Sequence, residues 1–281
     1  MFLVPLPEKP RCPQTDLPFP YLLGMHEPLP FENLFHAVRE ASRLELRYFE
    51  NGFDVKLKAD RTPVTSADLS ANQVLLEALH RLYPEIPVVS EEAERPKPEV
   101  SGGRFFLVDP LDGTSDFIAK RKEWTVNVAL VEHGRVVLGI VSAPALNEFF
   151  YGFRGCAFKT TLDDVSLENI RRLELRDRFF PQVSRKKTRV LRSVSHIEPA
   201  TEELLRNLSG TELPVGSSLK FLRIADGFAD YYPRPLPLHE WDIAAGHGVL
   251  KAAGGNVYRL GTDLEVEYGA KGFVSPPFEA Y

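Results

Sequence analysis

The sequence predicts a layered α/β fold, with helices and sheets packed against one another. Three observations predict it. Apolar side chains recur at helical intervals over residues 31–49, 69–82 and 243–253. Short β-type runs at 86–89 and 105–108 lie between the helical segments. Residues 124–131 and 135–141 flank His133-Gly134 and read as the two strands of a hairpin.

In chain order, residues 1–30 come first as a proline-rich arm. Pro5, Pro7, Pro10, Pro13, Pro18, Pro20, Pro28 and Pro30 exclude a helix interior or a central strand there. Leu34, Phe35, Val38, Leu44, Leu46 and Phe49 mark the first helix. Thr65-Ser66-Ala67-Asp68 reads as the start of the second. Leu69, Val74, Leu75, Leu79 and Leu82 continue it, and Pro84 closes it. The runs at 86–89 and 105–108 read as buried strands, and acids follow both: Glu91-Glu92 after the first, Asp109 after the second. Residues 149–153 extend the same sheet. Further on, a strand at 190–192 and helices near 199–207, 217–226 and 243–253 are expected, the last closed by Gly254-Gly255.

Bulk properties narrow the function. The chain is 43% hydrophobic and 26% charged, ordinary for a globular protein, and its net charge of −5 gives no bias toward nucleic acid or acidic membranes. Arg185-Lys186-Lys187-Thr188-Arg189 reads as a solvated basic loop. No apolar run approaches the ~20 residues of a bilayer span, and residues 1–10 lack a signal-peptide pattern, so a cytoplasmic protein is expected. Cys12 and Cys156 are the only cysteines and are expected to be ordinary thiols.

The chemistry concentrates in Asp109-Pro110-Leu111-Asp112-Gly113-Thr114. A buried strand delivers Asp109 at its carboxyl end, where ligands collect in layered α/β proteins. Pro110 is expected to turn the chain sharply, and Thr114-Ser115 to open a short helix. By itself this spacing suits either a metal-bridged phosphate or an acidic turn that caps a helix. Glu91-Glu92, Asp68 and Asp242 each read singly as a cap or a surface charge. Lys220 and Arg234 read singly as solvated charges, His247 as a packed helix residue and Trp241 as a core anchor. Should the acids converge, cations are required. Two carboxylates ~4 Å apart repel by about 4 kcal/mol at an effective dielectric of 20. All-oxygen ligation points to magnesium or manganese rather than zinc.

These residues match a known pattern. Ser90-Glu91-Glu92, Asp109 to Thr114, and Glu240-Trp241-Asp242-Ile243-Ala244-Ala245-Gly246 resemble, in order, the motifs of the inositol monophosphatase superfamily of lithium-sensitive, magnesium-dependent phosphatases. The likeness runs from Phe31 to the C-terminus. It implies an α-β-α-β-α sandwich: a single phosphatase domain after the arm. The domain would have a metal-binding α+β half, about 31–160, and an α/β half, about 161–281.

Thr62-Pro63-Val64-Thr65-Ser66-Ala67-Asp68, Gly216-Ser217-Ser218-Leu219-Lys220-Phe221 and Tyr232-Pro233-Arg234 are most similar to the superfamily's 3′(2′),5′-bisphosphate nucleotidase branch. Ser115-Asp116-Phe117 and Pro237-Leu238-His239 depart from that branch without touching the inferred ligands.

Carried over, the resemblance implies that Glu91, Asp109, Asp112, Asp242 and the Leu111 carbonyl ligate two or three magnesium ions, with manganese as a substitute and lithium as an inhibitor. Asp68 would support a further ion or the attacking water, and Thr114 and Glu91 would orient that water. Gly113 and Thr114 amides would hold the scissile phosphate. His196, Ser217, Lys220 and Arg234 would contact a nucleotide bisphosphate. The implied activity is hydrolysis of the 3′-phosphate of 3′-phosphoadenosine 5′-phosphate, in a monomer or homodimer. The alternatives are an inositol or sugar phosphatase on the same scaffold, and a pseudo-phosphatase that only binds metal or nucleotide.

Overall fold

The computed structural model describes residues 31–93, 100, 103–164, 171–175, 188–194, 198–206, 208 and 210–281. The proline-rich arm, residues 185–187 of the basic run and His196 lie outside the described residues.

The chain opens with helix α1 (Phe31–Asn51), a small antiparallel pair β1 (Val55–Leu57) and β2 (Pro63–Thr65), and helix α2 (Ser66–Leu82). Strands β3 (Val88–Ser90) and β4 (Arg104–Asp112), the short helix α3 (Thr114–Ile118), and strands β5 (Thr125–Glu132), β6 (Arg135–Ala143), β7 (Glu148–Phe153), β8 (Cys156–Thr160) and β9 (Arg171–Leu173) follow. These seven strands form one sheet in sequence order, β3 parallel to β4 and every later pair antiparallel. The rest of the chain holds β10 (Thr188–Arg192), α4 (Pro199–Arg206), β11 (Gly210–Pro214), α5 (Leu219–Ala225), β12 (Tyr232–Arg234), α6 (Glu240–Ala253), β13 (Val257–Arg259) and β14 (Phe278–Ala280). β10 and β11 pair in parallel; β12, β14 and β13 form a three-stranded antiparallel sheet.

Both faces of the large sheet are covered, which explains its near-continuous apolar runs. Phe106, Val108, Val126, Val128 and Leu130 point to one face and pack with Leu34, Phe35 and Val38 of α1 and Leu75 and Leu79 of α2. Phe105, Leu107, Ala129 and Val131 point to the other and share a core with α5 and α6. Beyond α5, Phe221 stacks on Phe278 and meets the edge of Tyr232, so the small sheet forms the next layer. The layered α/β class expected from the sequence is the one observed.

Helix α6 lies unusually close to the sheet. A Cβ at Gly139 would come within 2.1 Å of the Ala245 carbonyl oxygen, one at Gly152 within 2.7 Å of the Val249 Cα, and one at Gly248 within 2.7 Å of the Gly139 nitrogen. Three glycines therefore let backbone meet backbone where α6 crosses β6 and β7.

Several local expectations are corrected. The strand does not end at Asp109; β4 runs on to Asp112. Helix α5 starts at Leu219 because Ser217 takes a left-handed φ of +53° and cannot begin a helix. Helix α6 starts at Glu240 rather than Ile243. Cys156 is disulfide-bonded, so the expectation of two ordinary thiols fails for it.

Candidate active site

The bulge in β4 makes the site possible. Against β5, Asp109 pairs with Asn127 and Asp112 with Thr125, so three steps on one strand face two on the other. In a regular strand, residues three apart point to opposite faces. The extra residue corrects the phase, and Asp109 and Asp112 line the same cleft. Pro110 fits here because a bulge leaves one residue without a ladder bond. The Leu111 N–H turns to Asp109 Oδ1 instead, at 3.0 Å.

Asp68 reaches the site from the first turn of α2. Thr65 caps this helix: its Oγ1 accepts from the Ala67 N–H at 3.1 Å, and Asp68 Oδ2 accepts from the Thr65 N–H at 2.9 Å and its hydroxyl at 2.5 Å. The other Asp68 oxygen accepts from the Thr114 hydroxyl at 3.1 Å. A capping box thus carries the hydrogen bond that ties α2 to α3. Gly113, at φ +93°, precedes α3; a Cβ there would meet the Glu123 carbonyl at 3.3 Å and Ser217 Cβ at 3.4 Å.

Asp242 comes from the first turn of α6, where its Oδ2 accepts the His239 N–H at 3.0 Å. Glu91 follows β3. Glu91, Asp109 and Asp242 offer carboxylate oxygens within 4.8 Å of one another. The cleft they line encloses about 300 Å³ and also takes in Leu111, Asp112, Gly113, Thr114, Ser217, Lys220 and Arg234. Every described residue assigned to the site is therefore brought together, with Asp68 joined through Thr114.

Electrostatics identify what is required of this cluster. Burial first, and then the neighbouring acids, push Asp109 and Asp242 well above the usual carboxylate range. Burial also raises Asp112, against the pull of Lys220 and of the bonds from Ser217 and Ser218. Burial raises Asp68 while its bonds to Thr65 and Thr114 oppose it. Buried carboxyls crowded this closely, each holding its neighbours above the usual range, fit divalent cations with oxygen ligands. Glu91, Asp109, Asp112, Asp242 and the Leu111 carbonyl could supply such a set, with no His or Cys in it.

Two cations, Lys220 and Arg234, also line the cleft, and both already have protein partners. Lys220 Nζ donates to the Ser217 carbonyl at 2.8 Å and the Val215 carbonyl at 3.3 Å, and burial pulls its ammonium down to about 8. Arg234 is held by Glu198 through two N–H groups.

Sequence reading missed these partners. It also missed Lys58, which binds Glu91 at 2.7 Å and Glu92 at 2.5 Å from the loop between β1 and β2. Ser218, Thr125 and Asn127, which brace the wall, were missed as well. None carries a local signal, because each acts through a residue more than 30 positions away.

A family model described as "Inositol monophosphatase family" matches residues 30–277. The chain belongs to the inositol monophosphatase family. Among its relatives, a 3′(2′),5′-bisphosphate nucleotidase CysQ from Shigella flexneri is 42% identical over 208 residues, 73% of this chain and 79% of that protein. The crystal structure of CysQ from Bacteroides thetaiotaomicron, described as a bacterial member of the inositol monophosphatase family, is 30% identical with a TM-score of 0.72, covering 90% of this chain and 98% of that one. A staphylococcal inositol monophosphatase-1, solved as a lithium chloride-soaked inhibitory complex, shares the fold at 17% identity and a TM-score of 0.71, with 91% of each chain covered. Within the inositol monophosphatase family, then, the chain stands beside CysQ proteins in both sequence and fold.

Proposed function

We propose that this chain is a 3′(2′),5′-bisphosphate nucleotidase that removes the 3′-phosphate of 3′-phosphoadenosine 5′-phosphate, giving AMP and phosphate. One observation carries the reading. Four carboxyls, from Glu91, Asp109, Asp112 and Asp242, line a cleft that is also lined by Lys220 and Arg234. A metal cluster with two cations beside it suits a substrate with two phosphates. The likeness to CysQ proteins supports it.

Glu91, Asp109, Asp112, Asp242 and the Leu111 carbonyl would hold two or three magnesium ions, or manganese in their place. When bound, such ions neutralise phosphoryl oxygens and make water a stronger nucleophile. The remaining work is positioning. The Thr114 O–H points to Asp68 Oδ1, at 3.1 Å, and the Leu111 carbonyl, at 3.2 Å, which leaves the Thr114 lone pairs to accept a hydrogen bond from water. With Glu91, that fixes which way a water lone pair points. Gly113 and Thr114 amides would hold the scissile phosphoryl group at the start of α3. Ser217 and Arg234 would face the second phosphate, with Lys220 behind them adding charge.

Inhibition by lithium is part of the proposal. So are a cytoplasmic location and a monomer or homodimer. No helix among the described residues is long and apolar enough to cross a membrane.

The test is steady-state hydrolysis with magnesium by the purified protein. Higher kcat/KM on 3′-phosphoadenosine 5′-phosphate than on inositol 1-phosphate or fructose 1,6-bisphosphate is expected. The reverse order would assign an inositol or sugar phosphatase, and no turnover of any of them a binding protein.

A further inference from the structure

The loop 215–218 is braced from several sides. The Gly216 N–H donates to Glu123 Oε2 at 2.8 Å, and a Cβ on Gly216 would meet the Glu123 carbonyl oxygen at 2.7 Å. Ser217 follows at φ +53°, a strained value for a serine. Its hydroxyl lies 2.5 Å from the Thr125 hydroxyl and donates to Asp112 Oδ2 at 2.9 Å. Next along, the Ser218 N–H donates to the same Asp112 oxygen at 2.6 Å, and the Ser218 hydroxyl bonds to Asn127 Oδ1 at 2.8 Å. Two donors from two successive residues therefore converge on one carboxylate oxygen. With Ser217 in this left-handed turn, the side chain of one residue and the backbone of the next reach it together.

Lys220 holds this turn from behind. Its side chain is 5% exposed, and its ammonium donates to the carbonyls of Val215 and Ser217, the residues on either side of Gly216. The same ammonium sits 5.2 Å from the centre of the Tyr232 ring. Two donors are directed at carbonyls and the charge rests against an aromatic face. A group so engaged is built to hold backbone.

We infer that Lys220 is a positioning residue for Asp112: by fixing the Ser217 carbonyl it holds the strained turn that aims Ser217 and Ser218 at Asp112 Oδ2, leaving the other carboxylate oxygen directed to a cation. This rests on Asp112 being a metal ligand. It adds a second role to the one the family resemblance implies for Lys220, an interaction with the substrate.

The readout is Mn²⁺ binding to metal-free, full-length enzyme by calorimetry, without substrate. Removing a nearby positive charge would tighten binding of a divalent cation if charge alone acted. A phosphate contact would leave metal affinity unchanged and raise KM for the bisphosphate alone. A positioning residue gives the opposite sign from the first and a different readout from the second.

Lys220→Met is expected to weaken Mn²⁺ binding about tenfold or more, the range for partners that orient a ligand. It should lower kcat/KM on substrates with one phosphate as well as on those with two. Lys220→Gln replaces the ammonium by a shorter, uncharged amide that cannot span both carbonyls, and it too should weaken Mn²⁺ binding. It serves alone should Lys220→Met fail to fold. Unchanged or tighter Mn²⁺ binding in either variant would overturn the inference. Asp112→Asn is the control: loss of Mn²⁺ affinity there with none in Lys220→Met sinks only the positioning role. No loss in Asp112→Asn sinks the metal ligand itself.

Discussion

Arg234 and Glu198 form a two-point ion pair, Nη1 to Oε2 at 3.2 Å and Nη2 to Oε1 at 3.1 Å, at the edge of the cleft. Glu198 precedes α4 and Arg234 ends β12, so the pair ties two layers together. Planar, two-point pairing fixes the guanidinium in orientation as well as place. Glu198→Gln keeps the volume and loses the second anionic acceptor. It should raise KM for 3′-phosphoadenosine 5′-phosphate by roughly fivefold, about 1 kcal/mol, with kcat unchanged and inositol 1-phosphate kinetics unaffected. A lower KM would instead mean that Glu198 masks Arg234 from the substrate.

Asp112→Asn removes a ligand charge while its amide oxygen can still accept from Ser217 and Ser218, which donate to Asp112 at 2.9 and 2.6 Å. Turnover should fall by two orders of magnitude or more, about 3 kcal/mol of barrier, with an unchanged circular dichroism spectrum. Magnesium should also raise the melting temperature of the wild type, since a ligand that binds only the folded state stabilises it. That rise should shrink in the variant. A full rise and full turnover in Asp112→Asn would remove this residue from the metal centre.

Glu45 tests the cost of an acid in the core. It sits on α1, fully buried, and neither carboxylate oxygen has a hydrogen-bond partner among the described residues. Burial, and then Asp68, hold its carboxyl well above the usual range. The folded chain therefore keeps a proton that the unfolded chain releases once pH passes the ordinary value near 4.5. Stability attributable to this group falls as pH rises from there. Glu45→Leu should stabilise the protein on the order of 1–3 kcal/mol at neutral pH, and by less as pH approaches 4.5. Urea denaturation at several pH values measures this; an unstable variant would mean that Glu45 has a role the packing does not reveal.

His247 gives the reverse dependence. Asn256 Oδ1 accepts from the Val257 N–H at 2.9 Å, so the ring Nε2–H must donate to it, at 2.7 Å. Nδ1 then accepts from the Tyr268 hydroxyl at 2.8 Å. The fully buried ring is neutral, and burial pulls its value from 6.5 down to about 4. Between these two values the unfolded chain binds a proton that the folded one refuses, so stability rises with pH across that window. The loss on acidification should reach roughly 3 kcal/mol. His247→Gln keeps both partners and cannot titrate, so its denaturation midpoint should vary less between pH 6.5 and 4. Equal slopes would contradict a neutral ring.

What the sequence made legible follows from what is local. Helices α1, α2 and α6 were visible because their apolar faces repeat every three or four residues. The acids were visible because Asp109, Asp112 and Glu91 come just after short apolar runs in the sequence. The bulge was not, since one extra residue in β4 is defined only by its register against β5. Strand β11 was missed because Gly210 to Pro214 is mostly exposed and has no apolar alternation; it is a strand only because β10 pairs with it. Lys58, Glu198 and Ser218 stayed hidden for the same reason. Their importance is an address in space, set by chain closure over long separations.

The contact between α6 and the sheet works as a spacer gauge. Asp109 belongs to the sheet and Asp242 to the helix, so the gap between these acids follows the height at which α6 rides. Side chains do not set that height: Gly139, Gly152 and Gly248 bring main chain onto main chain. Large core residues elsewhere can drift in size over evolutionary time without opening or closing the metal centre. Added methyl groups at the three glycines cannot. Gly139→Ala would lift the helix like a shim under a jaw, and Mn²⁺ affinity should register the change even though no ligand was touched.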